Sequence, residues 1–311
     1  MNLNKFLYVL AGPTGSGKTG SSIKIAKALG AEIICIDSMS VYKNMDIGTA
    51  KVSIEDQKKV PHHLLDIIEP SEEFSVQKFL DKCVKTIENI FGRKKNVLLV
   101  VGTPLYFKAL VKGMFESPQA DEEFRKTLEK CESLELHQRL QSVDLEAAKR
   151  IAINDRKRVI RALEVFHLTG KPISVLQREE TKPATYYPWK VCCLNWRRDL
   201  LYTRIEKRVD LMLEQGFIDE TKRLLSMDYE LSKTAAKAIG YKDIIDVLSG
   251  KNPCDSLSEI IKQNTRRYAK RQMTWWRSFE VSWIDLDENN GTEDHIVTQV
   301  LSQFGNIELR N

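Results

Sequence analysis

The sequence predicts an α/β fold with a parallel sheet at its core and a mostly helical insertion. The first observation lies at the N-terminus, where a short apolar run at 6–10 precedes a glycine-rich loop, a segment of helical spacing at 17–29 and a second apolar run at 32–37. A strand, a helix and a strand in that order form a βαβ unit, which implies parallel strands. The second observation is the stretch 121–170, which has few strand signals and carries Leu, Ala and Ile at helical spacing. This stretch interrupts the strand pattern and predicts the insertion.

The remaining elements follow the same two patterns. Gly30 ends the first helical segment as a C-terminal glycine, and residues 75–91 predict an amphipathic helix. The apolar runs VLLVV at 97–101 and VCCLNW at 191–196 predict two further strands. Residues 200–279 return to helical spacing, so we expect helices there.

The length sets the domain organisation. A chain of 311 residues suits either one large α/β domain with an insertion or two domains. We predict a first part of the core over 1–115, a helical insertion domain over 116–188 and a second part of the core with a basic C-terminal helix over 189–311. The tail at 285–295 is acidic and polar, and we expect it to be loosely ordered at its centre.

Composition excludes several classes of protein. No apolar run reaches 18 residues, so no membrane span is expected. The short N-terminal apolar run leads directly into the glycine-rich loop, which favours a buried strand over a signal peptide. Six cysteines without a CxxC pair predict reduced thiols in a cytoplasmic protein and no zinc site. The net charge of +5 permits a nucleic-acid partner without requiring one.

An eight-residue motif after the first strand indicates a polyphosphate site. Its glycines permit backbone conformations that turn successive N–H groups inward, so that they form an anion nest at a helix N-terminus. Lys18 is placed to reach the terminal phosphates, and the Thr19 hydroxyl suits a Mg²⁺ ligand. We therefore predict a P-loop NTPase-like core. The residues that match G-x-x-x-x-G-K-[ST] are Gly12, Pro13, Thr14, Gly15, Ser16, Gly17, Lys18 and Thr19.

The P-loop indicates a polyphosphate but not specifically ATP. ATPases and kinases of this fold usually hold Mg²⁺ through a second carboxylate at the end of an apolar strand, yet the strand at 97–101 is followed by Gly102-Thr103-Pro104. The strand at 32–37 does end in an acid, Asp37, where ligands bind in open α/β sheets. Asp37 either assists the metal or accepts a proton from an attacking nucleophile.

Seven segments carry a resemblance to a known family. They follow one another in the order GPTGSGKT at 12–19, DSMSVYKNMDIGTAK at 37–51, HHLLD at 62–66, VGTPLYFKALVKG at 101–113, DRKRVIRALEV at 155–165, KAIGYKD at 237–243 and TRRYAKRQMTWWR at 265–277. Together they are similar to the tRNA dimethylallyltransferase family over roughly 6–280. The zinc finger of many eukaryotic members has no counterpart here, so the chain resembles the bacterial type.

The resemblance implies a reaction and its partners. The family transfers a dimethylallyl group from dimethylallyl diphosphate to N6 of adenosine 37 in the tRNA anticodon stem-loop. By this resemblance the P-loop and Lys18 hold the donor's diphosphate with Mg²⁺, Asp37 takes the N6 proton, and Thr103 lies near the reacting groups. The residues implied to contact tRNA are Asp37, Ser38, Met39, Ser40, Thr103, Arg125, Lys157, Arg158, Val159, Ile160, Arg161, Lys237, Ala238, Ile239, Gly240, Tyr241 and Lys242.

The sequence departs from the family pattern at a few positions. Val101 and Pro104 replace two glycines of the usual GGTGLY, Ser40 replaces a common glutamine, and Asn44 replaces a usual glycine. We expect these changes to leave the reaction class intact and to bear on which tRNAs are preferred.

Two groups of basic residues each have two interpretations. Arg204 and Arg208 share one helical face and are candidates for contacts to donor phosphate or RNA, or are solvated charges. Lys262, Arg266 and Lys270 form a basic stripe at i, i+4 spacing, which favours a neighbouring phosphate backbone over a solvated face.

Two other functions share the P-loop. One is a small-molecule phosphotransferase such as a nucleoside monophosphate kinase, and the other is an RNA-binding NTPase switch. Either would turn over a nucleoside triphosphate and leave RNA without a prenyl label. We expect a monomer in every case.

Overall fold

The sheet is built from apolar runs that are covered on both faces. The computed structural model describes residues 5–115 and 118–305, and within them the strands lie in the order β3-β2-β4-β1-β5-β6 with every neighbouring pair parallel. The predicted parallel sheet is confirmed. Its strands are β1 (Leu7–Ala11), β2 (Ala31–Ile36), β3 (His62–His63), β4 (Asn96–Val101), β5 (Trp189–Trp196) and β6 (Ser282–Leu286).

The strand register places the carboxyl ends of the central strands side by side. Val101 of β4 pairs with Ala11 of β1 on one side and with Ile36 of β2 on the other. The residues that follow these ends are therefore neighbours at one edge of the sheet. They are Gly12, Asp37 and Gly102, and this edge is where open α/β sheets bind ligands.

The helices begin and end at recognisable caps. Ser75 accepts a hydrogen bond from the Lys78 amide at the start of α3, and Gly30 ends α1 in the left-handed conformation. In residues 5–115 and 118–305, none of the helices combines the length and apolar character that a membrane crossing requires. The helices are α1 (Lys18–Leu29), α2 (Ile54–Lys59), α3 (Val76–Gly92), α4 (Pro104–Lys112), α5 (Glu122–Glu129), α6 (Ser133–Val143), α7 (Leu145–Arg150), α8 (Arg156–Thr169), α9 (Ile173–Glu179), α10 (Arg198–Glu214), α11 (Phe217–Leu225), α12 (Tyr241–Leu248), α13 (Leu257–Trp276) and α14 (Glu293–Gly305), with 3₁₀ turns at Ala235–Lys237 and Cys254–Ser256.

The chain forms two compact units. One contains the sheet and comprises the residues up to Phe107 and from Tyr186 onward, while the other comprises Lys108–Thr185 and is helical. The predicted boundary at 115–116 meets Glu116 and Ser117, which lie outside the described residues, and the domain bounds stay a prediction. The core of the helical unit is formed by buried residues such as Leu128, Leu136, Leu140, Val159 and Leu163.

Regular structure lies on both sides of the predicted loosely ordered tail, whose order at its centre stays a prediction. β6 pairs with β5 and extends the sheet, and Ile296, Val300 and Phe304 of α14 are buried in the sheet unit's core. Between them, the Asp287 carboxylate accepts hydrogen bonds from the amides of Asn289 and Asn290 and closes a turn. Because β6 has only five residues with a half-exposed pattern, its polar side chains masked the strand signal.

Candidate active site

The phosphate loop joins β1 to α1, as its motif predicts. Gly15 and Gly17 have φ angles of 79° and 96°, in the left-handed region that favours glycine. A turn bond of 3.3 Å from the Ser16 amide to the Pro13 carbonyl closes the loop. These conformations are those an anion nest requires at the start of a helix.

Three side chains from later parts of the chain hold the loop from outside. Arg204 Nε donates to the Gly15 carbonyl at 2.9 Å, and Trp196 Nε1 donates to the Ser16 carbonyl at 2.9 Å. The Arg204 guanidinium also lies 4.2 Å from the centre of the Trp196 ring. Arg204 therefore supports the loop, and of the two candidate arginines it is Arg208 that lines the neighbouring cavity.

The third support is Gln272, which connects the loop to the end of β4. Its Oε1 accepts from the Thr14 amide at 2.9 Å, and its Nε2 donates to the Gly102 carbonyl at 2.5 Å. The side-chain amide of Gln272 accepts from one backbone group and donates to another, so these two partners fix its orientation. Gln272 exposes 3% of its surface and links the phosphate loop to the strand end beside Asp37.

Lys18 is held in the loop by backbone carbonyls. Its Nζ donates to the carbonyls of Gly12 and Pro13 at 2.8 Å each. Burial and the nearby charge of Arg208 lower the pKa of Lys18 to about 8, although Asp37 acts in the opposite direction. Two cations in one partly desolvated place favour an anionic ligand that neutralises both.

Asp37 follows β2 and uses one oxygen to organise the next segment. Its Oδ1 accepts from the amides of Met39 and Ser40 at 2.8 and 3.1 Å. Oδ2 lies so close to Gly102 that a Cβ there would collide with it. The glycine after β4 is therefore required for the position of the carboxylate.

Thr103 ties the end of β4 to the segment after Asp37. Its Oγ1 accepts from the Ser38 amide at 3.1 Å and donates to the Ser38 hydroxyl at 3.3 Å. Tyr268 donates to the Gly102 carbonyl at 3.2 Å, next to the bond from Gln272. These contacts fix the backbone beside Asp37, and the direct catalytic role of Thr103 stays a prediction.

A cavity of about 300 Å³ joins these groups. Lys18, Thr19 and Arg208 supply its cationic and hydroxyl lining, and Asp37 supplies a carboxylate. Apolar side chains complete it, namely Ile33, Leu65, Val100, Val209, Met212, Phe217, Ile239 and Ile261. Such a lining suits a ligand that has an anionic head and an apolar body.

The donor set fits a magnesium ion that shares its ligands with a substrate. Within residues 5–115 and 118–305, no group of three His, Cys, Asp or Glu side chains forms a metal cage. Mg²⁺ is commonly held by one or two protein oxygens together with substrate phosphates and water. The Thr19 hydroxyl and the Asp37 carboxylate, both in the cavity lining, are hard oxygen ligands of that kind.

Most of the predicted RNA-contacting residues of the sheet unit line this cavity. The Ser40 side chain exposes 7% of its surface, and its hydroxyl has no hydrogen-bond partner within the described residues. Asn44 has a φ of 59°, which explains why glycine suits this position and why asparagine is accepted. Gly240 and Lys242 flank the lining, and Lys242 pairs with Asp246. The lining residues among those predicted are Asp37, Ser38, Met39, Ser40, Lys237, Ala238, Ile239 and Tyr241.

In the helical unit the predicted contacts are divided. Val159 and Ile160 are buried in the unit's core, and their contact with RNA stays a prediction. Arg125 and Arg161 both bind the fully buried carboxylate of Glu164. This segment lies in the first turns of α8, whose helical twist directs Val159 and Ile160 toward the core. In that range only Lys157 and Arg158 keep exposed side chains.

The basic stripe on α13 is largely paired inside the sheet unit. Lys262 Nζ lies 2.7 Å from Asp210, and Arg266 lies 2.5 Å from Glu206, both on α10. These acids offset the repulsion along the stripe, and the expectation of a phosphate partner for Lys262 and Arg266 is not supported. Lys270 remains exposed.

Three residues with a role at the site were not predicted from the sequence. Gln272 and Tyr268 lie in a segment whose motif is evident, but their bonds to Gly102 depend on folding across more than 160 residues. Glu220 lies in no motif, and its buried position at 4% exposure is the signal that marks it in the structure.

Comparison with known proteins agrees with this geometry. The model of the IPP transferase family matches residues 40–279, and a model described as isopentenyl transferase matches residues 5–67. A tRNA dimethylallyltransferase of Acetivibrio thermocellus is 44% identical over 308 residues, covering 96% of this chain and 98% of the relative. One from Thermotoga maritima is 44% identical over 284 residues, with 90% and 92% covered.

Solved structures show the same fold. The tRNA isopentenylpyrophosphate transferase of Bacillus halodurans has a TM-score of 0.69 and 39% identity, covering 98% of this chain and 99% of that one. A eukaryotic dimethylallyltransferase acting on tRNA has a TM-score of 0.80 and 27% identity, with 99% and 81% covered.

Proposed function

This chain belongs to the IPP transferase family, and from that premise we propose that it transfers a dimethylallyl group from dimethylallyl diphosphate to N6 of adenosine 37 in the tRNA anticodon loop. The observation that carries the proposal is the shared cavity. It brings the phosphate-loop Lys18 and the carboxylate of Asp37 to one apolar space, where a leaving diphosphate and an attacking amine must meet.

The phosphate loop stabilises the leaving group. Displacement of diphosphate from an allylic carbon concentrates negative charge on the phosphate oxygens. The loop amides, Lys18 and Arg208 supply fixed positive potential where that charge develops. Thr19 would hold Mg²⁺, which would supply further charge stabilisation when it is bound.

Asp37 acts on the acceptor amine. The lone pair of an adenine N6 is delocalised into the ring, so the amine needs to lose a proton as the C–N bond forms. Oδ1 of Asp37 is occupied by two backbone amides, which leaves Oδ2 beside Gly102 to accept that proton. General base catalysis of this kind contributes about 10²–10⁴-fold.

The RNA enters from a loop that can release its base. Extrusion of a base costs a few kcal/mol in a duplex and less in a loop, which suits an anticodon loop. We propose that the helical unit is a tRNA-clamping domain that uses Lys157 and Arg158, and that the enzyme works as a monomer in the cytoplasm.

Labelled donor tests this function. Purified enzyme, Mg²⁺, radiolabelled dimethylallyl diphosphate and an unmodified tRNA transcript should give label in RNA, and digestion should place it on one adenosine. Turnover of ATP without transfer of label to the transcript would contradict the proposal and favour a phosphotransferase or an NTPase switch.

A further inference from the structure

One side of the cavity is formed by two segments that are far apart in sequence. Residues 48–52 of the first segment and residues 237–239 and 241 of the second line the cavity. We call the segments 46–52 and 237–242 the two wall segments. Both pack against α11, which itself lines the cavity through Phe217.

A single buried carboxylate on α11 holds both wall segments. Glu220 Oε2 accepts from the amides of Asp46 and Ile47 at 3.1 and 2.8 Å. Its Oε1 accepts from the Gly48 amide at 3.2 Å and from the Tyr241 hydroxyl at 2.6 Å. Three donors come from the first wall segment and one from the second, so the carboxylate fixes the distance between them.

Phe217 packs between the same segments, three residues before Glu220. A Cβ at Gly48 would collide with its ring, and a Cβ at Gly240 would lie 2.5 Å from it. Gly240 also has a φ of 86°, which favours glycine. The ring meets Tyr241 edge-on at 4.8 Å between centroids. Both wall segments are therefore in close contact with one face of α11.

Only a carboxylate satisfies this position. All four partners are donors, and a carboxylate offers acceptor oxygens alone. Burial, followed by the nearby Glu220 charge, raises the pKa of Tyr241, so the phenol stays a donor. A glutamine would turn an NH₂ group toward two of the donors and leave buried polar groups unpaired, which is costly.

We propose that Glu220 is a positioning residue for the acceptor RNA, acting through the wall segments and not on the donor diphosphate. This rests on the proposed function. The diphosphate site is held by Arg204, Trp196 and Gln272, whereas the hydrogen bonds of Glu220 among the described residues go to the two wall segments. The second wall segment brings the exposed cation of Lys237 to the cavity lining, which fits a polyanionic acceptor.

Steady-state kinetics with an anticodon stem-loop test the inference. We expect Glu220→Gln to raise KM for RNA at least tenfold and to lower kcat less than threefold. The Kd of dimethylallyl diphosphate, measured without RNA, should stay within twofold. Tyr241→Phe removes one of the four bonds and should raise KM about threefold. Asp219→Asn, the same charge change at an exposed neighbour that pairs with Lys222, should change nothing.

The outcomes separate the two proposals. An unchanged KM in folded Glu220→Gln, or an equal loss of donor affinity, would overturn the positioning role. If Glu220→Gln fails to fold, Tyr241→Phe provides the same test of KM, because phenylalanine keeps the ring that packs against Phe217. If the wild type labels no RNA at all, the proposed function fails first, whereas labelling with unchanged KM values removes only this inference.

Discussion

The two units treat their partly buried cations in opposite ways. In the helical unit, Arg125 and Arg161 both bind the buried carboxylate of Glu164. Burial by itself raises the pKa of Glu164, but the hydrogen bonds from the two arginines lower it below its usual range. In the sheet unit, burial and the nearby charge of Arg208 lower the pKa of Lys18, whose ammonium is bound by backbone carbonyls. The first arrangement is complete as it stands, and the second is completed by an anion.

This difference distinguishes a structural arginine from a ligand-binding one. Sequence alone shows cations at both places and does not distinguish them. Where an acid pairs with the cations, as Glu164 does, little positive potential is left for a ligand. Among the described residues that line the cavity, Asp37 is the one acid, so positive potential remains there for a ligand. The following experiments test or refine that distinction.

The largest effect is expected at the carboxylate of the cavity. Asp37→Asn should lower turnover about 10²–10⁴-fold, since the amide cannot take the N6 proton. Donor affinity should change less than threefold, as measured by binding of dimethylallyl diphosphate without RNA. Turnover equal to the wild type would show that Asp37 is not the base.

In the helical unit, loss of the acid should act on stability. Glu164→Ala leaves Arg125 and Arg161 without their shared partner and should cost about 3 kcal/mol of unfolding free energy. Urea denaturation followed by circular dichroism measures it. Glu135→Ala removes an exposed partner of Arg139 and should cost no more than about 0.5 kcal/mol. Equal costs would mean that burial at Glu164 has no special effect.

The lowered pKa of Lys18 predicts how donor binding depends on pH. An anion binds the protonated amine, and the free enzyme loses that proton as pH rises through about 8. The Kd of dimethylallyl diphosphate should therefore be flat below about pH 7, about double by pH 8 and be up to about tenfold higher by pH 9. In Lys18→Ala binding should be weak throughout and lack this rise. The same slope in both proteins would assign it to another group.

The smallest effect is expected from exposed cations of the helical unit. Replacing Lys157 and Arg158 together by alanine should weaken RNA binding several-fold and reduce the salt dependence by about one to two ion equivalents. Fluorescence anisotropy over a salt series measures both. Arg178→Ala, which removes an exposed arginine paired with Glu146, serves as the control. Identical salt slopes in all three proteins would place 157–158 away from RNA.

The sequence predicts the parts of this site whose signals are local. The phosphate loop, Asp37 after β2 and the central strands depend on short motifs, and the structure confirms their placement. The roles of Gln272 and Glu220 depend on hydrogen bonds across 258 and 172 to 174 residues, which no local pattern encodes. The motif at 157–161 likewise does not show that Val159 and Ile160 lie on the buried face of their helix. The strand β6 was missed because its pattern is half polar.

Removal of the acceptor amine is the most direct test of the proposed reaction. In single-turnover reactions with labelled donor, a stem-loop that carries purine riboside in place of the target adenosine lacks the N6 group. This RNA should compete with the normal stem-loop for binding, take up no label and release no diphosphate. Label transferred to the purine stem-loop at the wild-type rate would contradict the claim that the cavity joins a leaving diphosphate to an RNA amine.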